Sequence, residues 1–492
     1  MDIAIIGAGI GGLSASLLLS AEGHQVTVYE KNRSVGGKMN ELRADGYRFD
    51  TGPSLLTMPE LLEQVFSSCG EAMQDYMTLS PLDPLCRYHF PDGTLLDNYS
   101  DMERSLHEIR RIAPEDEQSY RRFLSYARSL FEKSAPSFLY NPLFDASDLQ
   151  SVDFSDLLHI DALSTVSKRV DDYFDSTYLR RFFKRFTTYN GSSPFRAPAT
   201  LNVIPHVEIN RGGHYVKGGI YRIAEALYKA GLKCGVEFRL GTGVDQILTN
   251  GPRVTGIAPD NGLKVGYDLV ISNSDAFHTY MNLLPERAVP TLQRKRLSRT
   301  EPSCSGFVLL LGIDRSYDLL KHHNVFFSAD YRREFEMIFD ERRPPDDPTI
   351  YVANTSFSDP SDAPDGGSNL FVLVNAPYLD GSFDWERNGT EYADSVEREL
   401  ENRGLDGLRS AVRFRQTITP RDFYERYLSN RGSIYGTSSN SRLSAFLRPA
   451  NKARFIDGLY LVGGSTHPGG GIPLVILSAM HACELIKRYE QP

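Results

Sequence analysis

The run Gly7-Ala8-Gly9-Ile10-Gly11-Gly12 carries no nucleophile, yet its spacing suits a phosphate cradle. Gly7 permits a tight turn, and Gly9 lets a pyrophosphate approach the backbone. Gly12 lets a following helix pack on the preceding strand with its first amides aimed at the phosphates. Glu30, eighteen residues beyond Gly12, is placed to accept from a ribose hydroxyl. These residues read as a dinucleotide site, and they leave nicotinamide and flavin open. A second glycine-rich run extends from Gly463-Gly464 through Thr466-His467-Pro468 to Gly469-Gly470-Gly471-Ile472-Pro473. A helix starting near Pro473 would offer free amides and a positive dipole end to developing negative charge. His467 is the first candidate for a catalytic side chain, with loop anchoring as its other reading. Glu208 and Arg211, just before Gly212-Gly213, are further candidates, or else a surface ion pair.

Those residues need particular elements to hold them. Asp2–Ile6 reads as a buried strand, the pattern through Leu19 to Glu22 as a helix, and Gln25–Tyr29 as the next strand. Asp268–Asn273 and Leu459–Val462 read as later strands of the same sheet. Gly218-Gly219 introduces a helix over Tyr221–Ala230, followed by strands at Glu237–Leu240 and Val244–Leu248. Gly306–Ile313, Thr349–Asn354 and Leu370–Asn375 suggest a separate sheet, and Tyr392–Asn402 a charged surface helix. The expected fold is α/β. A Rossmann-type dinucleotide domain is assembled from residues 1–80, 200–300 and 450–492, and an α+β substrate domain occupies 81–199 and 301–449.

Composition narrows the function. With 492 residues, 41% apolar and 24% charged, the chain is long enough for a large core and is neither disordered nor fibrous. A net charge of −9 disfavours nucleic acid as a partner. The five cysteines have no CxxC spacing, and no metal-ligand or hydrolase motif occurs, so no metal is expected. The uncharged stretches 3–21 and 458–483 are broken by glycines, which argues against spanning helices. The aromatic pattern of 115–144 could serve a packed core or an apolar ligand. Residues 180–185, Arg-Arg-Phe-Phe-Lys-Arg, with Phe186, suggest either rings inserted into an anionic membrane surface or a helix that buries its phenylalanines.

After Glu30 come Lys31, Gly36-Gly37-Lys38 and Phe49-Asp50-Thr51-Gly52-Pro53, and here the chain resembles the large flavoprotein group that includes amine oxidases and carotenoid desaturases. That resemblance implies FAD, with Lys31, Gly37, Lys38 and Gly52 continuing its site and Val244 meeting the adenine through its backbone. Lys217-Gly218-Gly219, Asp359-Pro360-Ser361, Ala363-Pro364, Gly366, Arg448-Pro449 and the Thr466–Ala479 block make it similar to the phytoene desaturase family. The resemblance covers nearly the whole chain. It implies that Gly463, Gly464, Gly471, Ile472 and Pro473 face the flavin, beside a hydrophobic tunnel for a polyene.

The expected activity is FAD-dependent carotenoid desaturation by hydride transfer to flavin, with oxygen or a quinone as electron acceptor. Leu474 resembles the branch acting on 1-hydroxycarotenoids. Carotenoid isomerase or oxygenase chemistry is the alternative on the same fold, with amine oxidation and non-enzymatic isoprenoid binding further away. A polyene substrate implies a cytoplasmic protein peripherally associated with the inner face of the cell membrane.

Overall fold

The computed structural model describes residues 1–145, 148, 160–441 and 448–490. The parts of the expected substrate domain at 146–147, 149–159 and 442–447 lie outside the described residues. In chain order the strands of the two main sheets are β1 (Asp2–Ile6), β2 (Gln25–Glu30), β3 (Cys86–His89), β4 (Leu95–Asn98), β5 (Glu237–Leu240) and β6 (Leu269–Ser272). They continue with β7 (Ser305–Ile313), β8 (His323–Phe326), β9 (Ile350–Asn354), β10 (Ser368–Ala376), β11 (Val412–Ile418) and β12 (Leu459–Leu461). The helices that matter here are α1 (Ile10–Ala21), α2 (Glu117–Ser134), α3 (Thr177–Lys184), α4 (Arg222–Lys233), α5 (Trp385–Asn402) and α6 (Ile472–Tyr489).

The first sheet is parallel throughout, in the order β12-β6-β1-β2-β5. A parallel sheet is covered on both faces, so its strands read as unbroken apolar runs. In β1, Ile3 and Ile5 pack toward α1, α4 and α6, while Ala4 and Ile6 pack toward a three-stranded sheet built from Val244–Asn250, Arg253–Pro259 and Val265–Gly266. This is the α/β Rossmann-type unit, assembled from distant segments.

The second sheet is mixed, in the order β11-β7-β10-β9-β8-β3-β4, with only β8 and β3 running parallel. Every residue of β7 is buried. Alternation sends Phe307, Leu309, Leu311 and Ile313 toward Trp385, Val396 and Leu400 of α5, and Val308 and Leu310 toward the opposite face. Two pieces cross the expected domain boundary. The hairpin Glu41–Ala44/Tyr47–Asp50 lays Tyr47 and Phe49 against Val308 and Leu310, and the short helical turn Val203–Pro205 packs on α2. Arg48 of the hairpin ties the units together, donating to Asp50 at 2.9 Å and to Asp362 at 2.6 Å. Gly219 leaves room for it: a Cβ there would stand 2.0 Å from the Arg48 guanidinium.

A third core is aromatic and lies between α2 and α3. Phe182, Phe183 and Phe186 are at most 1% exposed, and Phe183 stacks on Phe174 at 4.8 Å. Of the two readings of this segment, insertion of the rings into a membrane is therefore overturned and burial of the phenylalanines holds. The alternation of basic and aromatic residues reflects a helix that buries its phenylalanines, with Lys184 paired to Asp171 at 2.6 Å. Among the described residues no helix is long and apolar enough to cross a membrane.

Candidate active site

The carboxyl ends of β1, β2, β6 and β12 open onto one cavity of about 950 Å³ between the two sheets, the position where open α/β sheets bind their ligands. Two helices begin at its wall. Gly9 caps α1 and Gly471 caps α6, neither with a side-chain hydrogen bond, so the first amides of both helices stay available. Gly471 has φ +105° and open space where a Cβ would be. Gly7, Gly9 and Gly11 line the cavity, whereas Gly12 lies behind them, where a Cβ would fall 2.1 Å from the Gly7 carbonyl.

Glu30 sits 5% exposed at the end of β2. Its carboxylate accepts from the Ala8 amide at 2.8 Å, the Asn32 amide at 2.9 Å and Asn32 Nδ2 at 2.7 Å. A carboxylate has about four acceptor positions, so one remains for a hydroxyl in the cavity. Lys31 lines the rim while its ammonium donates to the Glu425 carbonyl at 3.0 Å. Lys38 is a tie rather than a free cation. Its Nζ donates to the Ile434 carbonyl at 2.7 Å, and burial pulls its pKa down to about 8 against the neighbouring Asp275. Gly37 and Gly52 allow close backbone passage: Cβ atoms there would stand 3.3 Å from Gly9 Cα and 2.0 Å from the Lys38 carbonyl oxygen. Val244, Gly463, Gly464, Ile472 and Pro473 all line the cavity.

The three proposed catalytic residues separate. His467 lines the cavity, but its Nε2 faces the Asn141 carbonyl at 2.9 Å and its ring stacks on His481 at 5.5 Å. A carbonyl only accepts, so Nε2 carries the proton and Nδ1 is left as an acceptor. Burial pushes the His467 pKa down to about 4. Glu208 faces the cavity and accepts from the Tyr189 hydroxyl. Arg211 instead pairs with Glu60 at the surface, away from the cavity, so neither the Glu208–Arg211 pair nor a catalytic Arg211 stands. The cause is the wide, π-type turn over His206–Asn210, which rotates the two side chains apart.

Several site residues escaped the sequence reading. Asn273, at the tip of β6, donates to the Gly7 carbonyl at 3.4 Å and fills the space beside Gly9 and Gly463. Arg185 and Tyr189 line the cavity from the end of α3 onward, a segment whose basic residues suggested a surface. Arg448 donates to the Tyr435 carbonyl at 3.0 Å, the Gly464 carbonyl at 3.2 Å and Asn190 Oδ1 at 2.7 Å, fixing the loop before α6. The far wall is largely apolar: Val308, Val325, Phe371 and Leu373 of the second sheet line it, with Leu201 and Ile204 beside them, and His323, Tyr351 and Asn375 of that sheet add polar atoms.

Residues 10–487 match the family described as flavin containing amine oxidoreductase. The chain belongs to that family. Membership of that family implies a flavin, and the two helix N-termini, the packed glycines and the spare acceptor on Glu30 are the features of this cavity that suit one. At full length it is 35% identical to the 4,4'-diaponeurosporene oxygenase of Staphylococcus haemolyticus, covering 99% of this chain and 97% of that one. It is 36% identical to the 4,4'-diapolycopene oxygenase of a Methylomonas species, covering 97% and 96%. Among solved structures, an oxidoreductase from Methanosarcina mazei superposes with a TM-score of 0.66 at 18% identity, covering 98% of this chain and all of that one. Putrescine oxidase bound to putrescine gives 0.64 at 13%, covering 99% of each. The structural likenesses show the flavoprotein fold of the amine oxidoreductases.

Proposed function

We propose that this chain is an FAD-dependent oxidoreductase of a long carotenoid polyene, and that it introduces oxygen into the polyene end. The observation that carries the substrate class is the apolar wall of Val308, Val325, Phe371 and Leu373 facing the same cavity as the nucleotide cradle. A polyene has no polar handle along its length, so its affinity comes from apolar burial, at about 25 cal/mol per Å². The dinucleotide form, FAD, follows from Glu30 and the glycine cradle, which suit a ribose and a pyrophosphate. When bound, the flavin supplies the two-electron redox chemistry that no side chain here provides. The protein's part is to exclude water, hold the polyene end and keep the α6 amides aimed at developing negative charge.

Oxygenation is preferred over desaturation because the full-length relatives above are named as oxygenases of 4,4'-diaponeurosporene and 4,4'-diapolycopene. Conversion of a terminal methyl to an aldehyde balances as RCH3 + O2 → RCHO + H2O, with dioxygen rather than a quinone as acceptor. An amine substrate is the second reading, since Glu208 and the rings of Tyr189, Tyr351 and Tyr435 line the cavity and could cage an ammonium. The buried cation Arg185, 5.0 Å from the centre of the Tyr189 ring, opposes it. We further propose that the protein acts at the inner face of the cell membrane, where such a substrate dissolves.

The test supplies flavin-loaded protein with 4,4'-diaponeurosporene in liposomes and, separately, with putrescine. Conversion of the polyene alone is expected. Conversion of putrescine alone would replace this reading with amine oxidation.

A further inference from the structure

A cavity built only for hydrocarbon has no use for a buried guanidinium, yet Arg185 lines it and is 6% exposed. Its guanidinium carbon lies 5.4 Å from the Tyr88 ring centre and 5.0 Å from that of Tyr189, so aromatic faces carry part of its charge. Its Nη2 donates to the Tyr189 hydroxyl at 3.4 Å, the Cys86 thiol lies beside the guanidinium, and its Nε has no partner. The Tyr189 hydroxyl donates in turn to Glu208 Oε2. Glu208 is 3% exposed and also lines the cavity, and its Oε1 has no partner. A group that can only donate and a carboxylate that can accept are thus bridged by Tyr189 on one wall, each with unused capacity. Buried polar groups are nearly always paired, so this arrangement asks for a polar ligand atom.

The geometry points to a polar pole at which Arg185, Tyr189 and Glu208 bind the hydroxyl group of a polyene hydroxylated at one end. The choice among oxygenated ends follows from hydrogen-bond inventory. A hydrocarbon end satisfies neither residue. An aldehyde accepts only, so it serves Arg185 and leaves Glu208 unpaired. A carboxylate sets a second negative charge beside Glu208. A hydroxyl accepts from Arg185 and donates to Glu208 together, and it stands at the oxidation level between a methyl and an aldehyde. The pole is therefore a specificity device, and it rests on the reading of the cavity as a polyene site.

The experiment titrates the flavin-loaded full chain, in neutral liposomes, with a hydrocarbon polyene, its terminal alcohol and its terminal aldehyde. Polyene absorption reports binding and product analysis reports turnover. The alcohol is expected to bind about tenfold or more tightly than the hydrocarbon, and more tightly than the aldehyde. Tyr189→Phe and Glu208→Gln, both nearly isosteric, are expected to bring that ratio close to one in folded protein that keeps its flavin, and Arg185→Lys to retain part of it. Equal binding of alcohol and hydrocarbon overturns the inference, as does a preference that survives in both Tyr189→Phe and Glu208→Gln. Preferred binding of the alcohol without conversion of any polyene leaves the pole standing and removes the proposed reaction. Failure to bind any of the three removes both.

Discussion

Asn273 occupies the space that a methyl group at Gly9 would need. An added Cβ would stand 2.5 Å from Asn273 Nδ2, and that nitrogen donates to the Gly7 carbonyl at 3.4 Å. The tip of β6 therefore presses on the turn between β1 and α1, and a residue 266 positions away clamps the phosphate cradle.

Behind that turn, Gly12 has backbone rather than a flexible side chain as its neighbour, 2.1 Å from where a Cβ would be. Gly12→Ala must push α1 off β1. We expect a loss of about 1–3 kcal/mol of stability and protein purified largely without flavin. The flavin-to-protein absorbance ratio and a denaturant titration check both.

Glu30 holds three donors around the cavity rim. Hydrogen bonds to a charged group contribute about 1.5–3 kcal/mol each, so Glu30→Ala should weaken flavin binding by roughly ten- to a hundred-fold or more. Glu30→Gln, which can keep some of these acceptor contacts, should fall between. Equilibrium dialysis of flavin against each variant measures the order.

His467 and His481 are both held by burial at a pKa of about 4, below the ordinary 6.5. Between those values the unfolded chain binds more protons than the folded one. Their contribution to stability is therefore full above pH 6.5 and is lost as pH falls toward 4, by up to about 1.4 kcal/mol per pH unit for each group. Denaturant midpoints across this range should fall accordingly. His467→Gln, whose amide can still donate to the Asn141 carbonyl, should flatten the slope. The rate should show no inflection near 6.5 from His467.

Phe183 is fully buried, stacked on Phe174 and packed against Phe123 at 4.3 Å. Phe183→Ala should cost about 3–5 kcal/mol of stability. If the ring is core and not a membrane anchor, the folded variant should float with liposomes as well as the parent does.

The nucleotide cradle was legible because phosphate binding is a local demand: a strand, glycines at fixed spacing and an acid at the next strand's end all lie within the first thirty residues. The second glycine run was legible for the same reason, since its proline and glycines mark a helix start. Arg185 was not. Within Arg-Arg-Phe-Phe-Lys-Arg nothing local says which cation turns inward, and the answer depends on Phe182 and Phe183 filling a core made by α2 and Phe174. Glu208 and Arg211 stand three apart, a spacing that pairs side chains on a regular helix, but the wide turn over His206–Asn210 breaks that rule. Asn273 gave no signal beyond closing a strand, because its role is a contact with glycines far away in sequence.

Oxygen insertion into a polyene within the flavin-loaded cavity can be tested at the product itself. The direct measurement is mass spectrometry of 4,4'-diaponeurosporene after incubation with the flavin-loaded protein under isotopically labelled dioxygen. A product carrying the label is expected. A product that has lost two hydrogens and carries no oxygen would contradict it and restore desaturation as the reaction.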